Sequence, residues 1–320
     1  MKRIQIIISI LITSCLILDA QVEDQMSPSE IKQMTAVTEP ATLYKGFFRA
    51  GLIYDQFTAK RIFDPDGNKI FIEGNALAMT RALNLSLQYG ITKRIQVNLV
   101  LPYTMDAIQQ SAIYEDPVSG VKQVLTWDQK GNGLGDISVG VYGQIIRESE
   151  ALPSLTARLT YTHPTGKKDP GNVQDAFNYD LPTGRGEAVV STDLQVRKVM
   201  YPYSLVFTGS YDLKMGGEKI FDPGGETTEF KGGNVISLQG GFNFHLNDWL
   251  SMGNELTYMN LAESEVGGQK QDDSGYGFAY QPYFHFQVKQ LRLVQSMLVN
   301  LKGKNYTVSP SYILLVQYTF

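Results

Sequence analysis

From Tyr44 to the C-terminus the chain alternates apolar and polar side chains with period two, in runs of about ten residues. That is the pattern of strands with one face against an apolar medium and the other against water. In the first run Tyr44, Phe48, Ala50, Leu52 and Tyr54 share a face, while Lys45, Arg49 and Asp55 share the other. In the next, near Asn75 to Tyr89, Leu77, Leu83, Leu85, Leu87 and Tyr89 alternate with Ala82, Asn84, Ser86 and Gln88. Ile95, Val97, Leu99, Leu101 and Tyr103 alternate with Gln96 and Asn98. Further runs follow at 135–146, 154–163, 187–197, 203–213, 235–244, 249–259, 277–286 and 291–301, then the closing run Ser311 to Phe320. In that last run Tyr312, Leu314, Val316, Tyr318 and Phe320 lie on one face.

The pattern predicts an all-β fold, a transmembrane antiparallel β-barrel of about 12 strands, the even number expected of a bacterial outer-membrane barrel. Long connections rich in Gly, Asp and Asn follow the odd strands, except the last, and short ones follow the even strands: 90–94, 147–153, 198–202, 245–248 and 288–290. Outer-membrane barrels put short turns in the periplasm and long loops outside, so both chain ends are expected in the periplasm. A soluble β-sandwich gives the same alternation. The strand length, the aromatics near strand ends and the terminal Phe favour the barrel.

Composition adds to this. The chain has 320 residues, 43% of them apolar, with 30 glycines and 18 tyrosines. No run after the N-terminus reaches the ~20 apolar residues of a spanning helix, whereas Gly-rich turns and Tyr girdles suit a barrel. A net charge of −4 and the lack of a basic cluster argue against a nucleic-acid partner. Residues 1–20 read as a signal peptide: Lys2 and Arg3, an apolar core Ile4 to Leu18, then Asp19-Ala20. The alternative is a lipoprotein box at Cys15, the sole cysteine. Residues 21–43 form a polar periplasmic segment before the barrel domain, 44–320. Within it Ser27-Pro28-Ser29-Glu30 suits a helix start, with Ile31, Met34 and Val37 as its apolar stripe. The segment is either a frayed leader or a short helix tucked into the barrel mouth.

Arg61-Ile62-Phe63-Asp64-Pro65-Asp66-Gly67 is echoed by Lys219-Ile220-Phe221-Asp222-Pro223-Gly224-Gly225. The spacing corresponds to six strands, so the chain is a doubled six-strand unit or carries two similar loop hairpins turning at Pro-Asp-Gly and Pro-Gly-Gly. Asp64, Asp66, Asn68 and Glu73 are hard oxygen donors that could hold Ca²⁺ in the first loop, although the EF-hand spacing is missing.

Gly133-Leu134-Gly135-Asp136-Ile137, Leu159-Thr160-Tyr161-Thr162-His163-Pro164-Thr165-Gly166 and Tyr89-Gly90-Ile91-Thr92 before Leu101-Pro102-Tyr103 occur in that strand context. In these motifs and their order, over most of 44–320, the chain resembles the putative MetA-pathway of phenol degradation family. His163 departs from that pattern, which usually has an aliphatic residue before Pro-Thr-Gly. The resemblance implies an outer-membrane barrel of transporter type linked by name to aromatic degradation; it carries no catalytic residues.

For a channel the working chemistry is the lumen lining. Parity points Arg49, Asp55, Arg158, Glu187, Asp193, Arg197, Glu255, His285 and Arg292 inward. They either form a constriction that selects small solutes or pair with one another as a plug. The expected function is a channel or transporter for small solutes, aromatic or hydrophobic ones among them. The alternative is a structural or adhesive barrel whose loops bind a partner, with 105–132 and Trp127 as the surface. A lipid hydrolase would rest on His163 and Thr165 across a Pro-containing turn, and an enzyme is not expected. No cofactor and no metal set is expected, since His245 and His285 are scattered. The expected partners are outer-membrane lipid, lipopolysaccharide, the barrel assembly machinery that reads Tyr318 and Phe320, and the solute.

Overall fold

The computed structural model describes residues 42–72, 77–115, 122–174, 178–221 and 223–320. The signal peptide (1–20), the helix start at Ser27 and Glu73 of the loop set lie outside these residues, as does nearly all of the segment 21–43.

Twelve strands form the wall: β1 (Phe48–Ala59), β2 (Leu77–Gly90), β3 (Ile95–Glu115), β4 (Ile137–Ile146), β5 (Ser154–His163) and β6 (Glu187–Met200), then β7 (Tyr203–Lys219), β8 (Val235–His245), β9 (Leu250–Leu261), β10 (Gly275–Val288), β11 (Leu291–Lys304) and β12 (Ser311–Thr319). Each pairs antiparallel with its sequence neighbours. The barrel closes where β1 meets β12, from Arg49 opposite Thr319 to Phe57 opposite Ser311. Closure leaves no edge strand in the wall, so every spanning backbone group can be satisfied without water.

The burial pattern is that of a globular protein turned inside out. Arg49, Ser86, Gln96, Asn98, Thr156, Glu187, Ser204, Ser296 and Gln317 are buried, while Leu52, Leu85, Leu194, Phe207, Leu256, Leu314 and Val316 are exposed. Outward aromatics fall into two belts. One, at the short-turn end, holds Phe48, Tyr89, Tyr201, Tyr203, Trp249 and Phe320, and the other holds Tyr103, Tyr161, Tyr211, Tyr258 and Tyr312. Such belts mark the two interfaces of a bilayer, where an amphipathic ring is best placed. Arg81 also points outward, opposite Met105, one outward step past the Leu83–Tyr103 pair toward the long loops. We therefore expect Arg81→Leu to leave stability nearly unchanged in a vesicle-folded denaturant titration. Leu85→Arg, deeper in the band, should cost ~2–4 kcal/mol.

Three local readings change. The first strand starts at Phe48 and not at Tyr44, because Gly46 sits at φ +84°, a left-handed conformation that breaks an extended run. The stretch 105–132 is no irregular loop. β3 runs on for 21 residues in all and pairs with Lys122–Leu134, from Tyr103 opposite Leu134 to Glu115 opposite Lys122. This hairpin stands above the wall. His245 is the buried last residue of β8 and lies inside the barrel, where the sequence placed it in the short turn 245–248. Both copies of the repeat form hairpins: Arg61–Phe63 pairs with Lys69–Phe71, and Lys219 with Thr228. Each is backed by cations on aromatic faces, Arg61 over Phe71 at 4.6 Å and Lys219 over Phe230 at 4.6 Å.

Candidate functional site: the barrel lumen

The closed wall turns the polar face of every strand toward one enclosed space, so the site is the lumen itself. At the short-turn end Arg49 donates from Nε to Thr319 Oγ1 at 2.9 Å, across the seam between first and last strands. Arg197 bridges Glu148 of the 147–153 turn at 3.2 Å. His245 lies between Ser251 (Nδ1 to Oγ, 2.7 Å) and Ser204 (Nε2 to Oγ, 3.2 Å), stacked on Tyr201. A chamber of about 330 Å³ opens beside it, lined in part by Arg292, His285, Glu255 and Tyr283. The chain enters β1 from within this mouth. Thr42 and Leu43 are buried, Leu43 N donates to Gln96 Oε1 at 2.6 Å, and a Cβ on Gly90 would lie 2.0 Å from Tyr44 O.

At mid-height Arg158 and Asp193 stand directly opposite on β5 and β6. They do not form an ion pair among the described residues. The Arg158 guanidinium donates instead to Gln195 Oε1 at 3.0 Å and lies over the Tyr142 ring at 5.2 Å. Glu255 accepts from Gln239, and Glu187 accepts Gly232 N at 3.0 Å. Asp55 points inward from β1, with its Oδ1 buried and without a described partner. Of the nine residues chosen by parity, Arg49, Arg158, Glu187 and Glu255 are held by neutral groups and Arg197 by the Glu148 carboxylate.

Near the long loops, a strap from the β5–β6 connection folds over the lumen. Leu181 N donates to Lys130 O at 3.0 Å, and Thr183 Oγ1 donates to Leu134 O at 2.8 Å. The anchor is Asp136: Oδ1 accepts Gly166 N at 3.0 Å and Oδ2 accepts Arg185 N at 2.8 Å. The Gly-Leu-Gly-Asp and Pro-Thr-Gly motifs are therefore the two halves of one clamp. The close approach needs Gly166 and its neighbour Gly184: a Cβ on Gly166 would lie 2.6 Å from Gly184 Cα, and one on Gly184 would lie 2.6 Å from Asp136 Oδ1. Under the strap lies a cavity of about 550 Å³.

The sequence missed Asp136, Gln195, Tyr142 and the opposed pair Thr80 and Asp106, bonded at 2.5 Å. Inward parity of Asp106, two residues after Thr104, was the available signal for that pair, and it was hidden inside a stretch read as loop.

The remaining candidates separate from the lumen. Thr165 donates its hydroxyl hydrogen to Gly135 O and accepts Ile137 N, while His163 Nδ1 faces Tyr161 OH at 3.3 Å. No nucleophile–base contact joins them. Asp64 spends its Oδ1 on the N–H groups of Asp66 and Asn68. The Asn68 N–H, with smaller help from neighbouring donors, holds the Asp64 carboxyl below its ordinary value. That loop is a self-satisfied turn, and among the described residues no group of three or more acidic, His or Cys side chains is placed to hold a metal. The fourth residue of the proposed Ca²⁺ set, Glu73, lies outside the described residues.

No family model matches the chain. Among solved structures, an outer membrane channel from Pseudomonas putida F1 is similar at a TM-score of 0.68 and 15% identity, over 92% of this chain and 100% of that one. The transport unit of the autotransporter AIDA-I from Escherichia coli aligns at 0.47 and 12% identity, over 92% and 100% of the two chains. The CymD monoaromatic hydrocarbon channel aligns at 0.46 and 8%, over 87% and 88%. The first of these likenesses fixes the fold as that of an outer-membrane β-barrel. The barrel fold matches that of Gram-negative outer-membrane proteins.

Proposed function

We propose that this protein is an outer-membrane channel passing small solutes, aromatic or hydrophobic ones among them, through its polar lumen. The long loops face outside and both chain ends lie in the periplasm, in keeping with the short turns at the end where β1 begins and β12 stops. The P. putida likeness gives the architecture, and the motif resemblance to the phenol-degradation family supports the transporter type. Lipopolysaccharide phosphates beside Arg81 and the barrel assembly machinery at Phe320 are the further partners of this reading.

One observation carries it. Arg158 and Asp193 face each other without cancelling, since Arg158 is occupied by Gln195 and Tyr142. Charges held by neutral partners still act on what passes between them. Removing Arg158 leaves Asp193 unopposed. A unit charge ~4 Å away in water is worth about 1 kcal/mol, so Arg158→Ala should shift the cation-to-anion permeability ratio roughly fivefold toward cations. Reversal potentials in planar bilayers under a salt gradient measure this. Unchanged selectivity in a folded variant, or no current from the parent protein, would count against the channel.

A further inference from the structure

The cavity of about 550 Å³ beneath the strap takes no part in the contacts that hold the lumen charges. Part of its lining is apolar: Ile53, Ala82, Val100, Pro102 and Pro182. Its polar part is unevenly charged, with Asp106 and Asp136 against Arg185. Asp136 has both oxygens committed to backbone N–H groups. Asp106 has only Oδ1 committed, to Thr80, and its Oδ2 is bonded to no described residue.

A second carboxylate completes the picture. Asp55 is the next inward residue after Ile53 on β1, and its buried Oδ1 has no described partner. The register runs Asp55 to Ala82 and Ala82 to Thr104, and Asp106 is the next inward residue on β3. Strand spacing and rise put the two backbone positions roughly 12 Å apart; Asp106 lines the cavity, and Asp55 lies on the inward face of β1 two residues from its lining residue Ile53. Neither is in an ion pair among the described residues. An acceptor-rich, net-negative wall beside an apolar surface suits a ligand with a positive hydrogen-bonding head and an apolar body. It repels a carboxylate of the same shape.

We propose that this vestibule is a recognition site for small organic cations, an ammonium group on an apolar body, with Asp106 as its principal contact and Asp55 in support. The proposal rests on the channel reading only for its biological purpose, because binding can be measured without transport.

Three isosteric probes test it: benzylamine, benzyl alcohol and benzoate, titrated calorimetrically at pH 7 into the full-length protein in detergent micelles. The expected order is amine, then alcohol, then benzoate, with the amine favoured over benzoate by at least about tenfold. Asp106→Asn keeps an acceptor for Thr80 and should remove most of that preference. Asp55→Asn should lower it in the same direction, and Glu226→Gln, an exposed loop change, should leave it intact. Heat-modifiable gel mobility verifies that each variant is folded. Benzoate binding as tightly as benzylamine, or a preference that survives both Asp replacements, overturns the site. Uptake into proteoliposomes separates the two readings. Selective binding without passage keeps the site and removes the channel, whereas passage of amine and benzoate alike without selective binding does the reverse.

Discussion

Replacing Phe320 with Asp, or deleting it, is expected to lower the amount of folded barrel in the outer membrane far more than it lowers intrinsic stability. Phe320 N donates to Phe48 O at 2.7 Å, and its ring meets those of Phe48 at 5.8 Å and Tyr318 at 4.8 Å. Two aromatic contacts are worth about 0.5–1.5 kcal/mol each, so refolding into synthetic vesicles should lose no more than about 3 kcal/mol. If the closing strand is also the segment read by the assembly machinery, as proposed above, the membrane-associated, heat-modifiable fraction should nearly vanish in cells. Comparing the two measurements isolates assembly from stability. Equal losses in both, or normal membrane levels, would remove Phe320 from any signalling role.

The second large effect is expected at Asp136. Its carboxylate holds both ends of the β5–β6 connection, at Gly166 and Arg185. A hydrogen bond to a charged group contributes roughly 1.5–3 kcal/mol, so Asp136→Ala should weaken strap docking by about 3 kcal/mol, a shift of roughly a hundredfold in the docked population. The wall, built from separate ladders, should survive. The readouts are increased single-channel conductance and faster proteolysis within 164–186. Gly184→Val should act in the same direction by steric exclusion. Gly240→Ala, where a new Cβ meets nothing within 4 Å, is the matching control. Conductance and protease resistance unchanged in Asp136→Ala would mean that the strap is held by other contacts.

The wall was legible from sequence because each spanning strand sees two different media. Lipid outside and water inside write the period-two pattern directly, which is why Arg49 to Asp55 and Arg292 to Phe320 read correctly. The same rule explains why the upper part of β3 was misread. Where a hairpin rises above the apolar belt both faces meet water, so the alternation fades past Asp106, through Ala107, Ile108 and Gln109, although the ladder continues. Parity pointed Arg158 and Asp193 inward but could not choose between partners. The diagonal Gln195 and the Tyr142 ring on β4 win by side-chain conformation, which leaves no periodic trace. The Asp136 clamp was visible only as motifs, since its bonds join residues 30 and 49 positions apart.

The tall hairpin has a mechanical consequence. Its two strands are zipped together from Tyr103–Leu134 to Glu115–Lys122, which stiffens it into a single arm. The foot of that arm carries Lys130 and Leu134, the carbonyls that grip Leu181 and Thr183 of the strap. A stiff arm fixed at its base transmits displacement without absorbing it, so a push or pull at the tip is felt at the roof of the vestibule. In the proposed orientation the hairpin is a handle on the entrance to the lumen, and whatever grasps its tip acts on the vestibule without entering it.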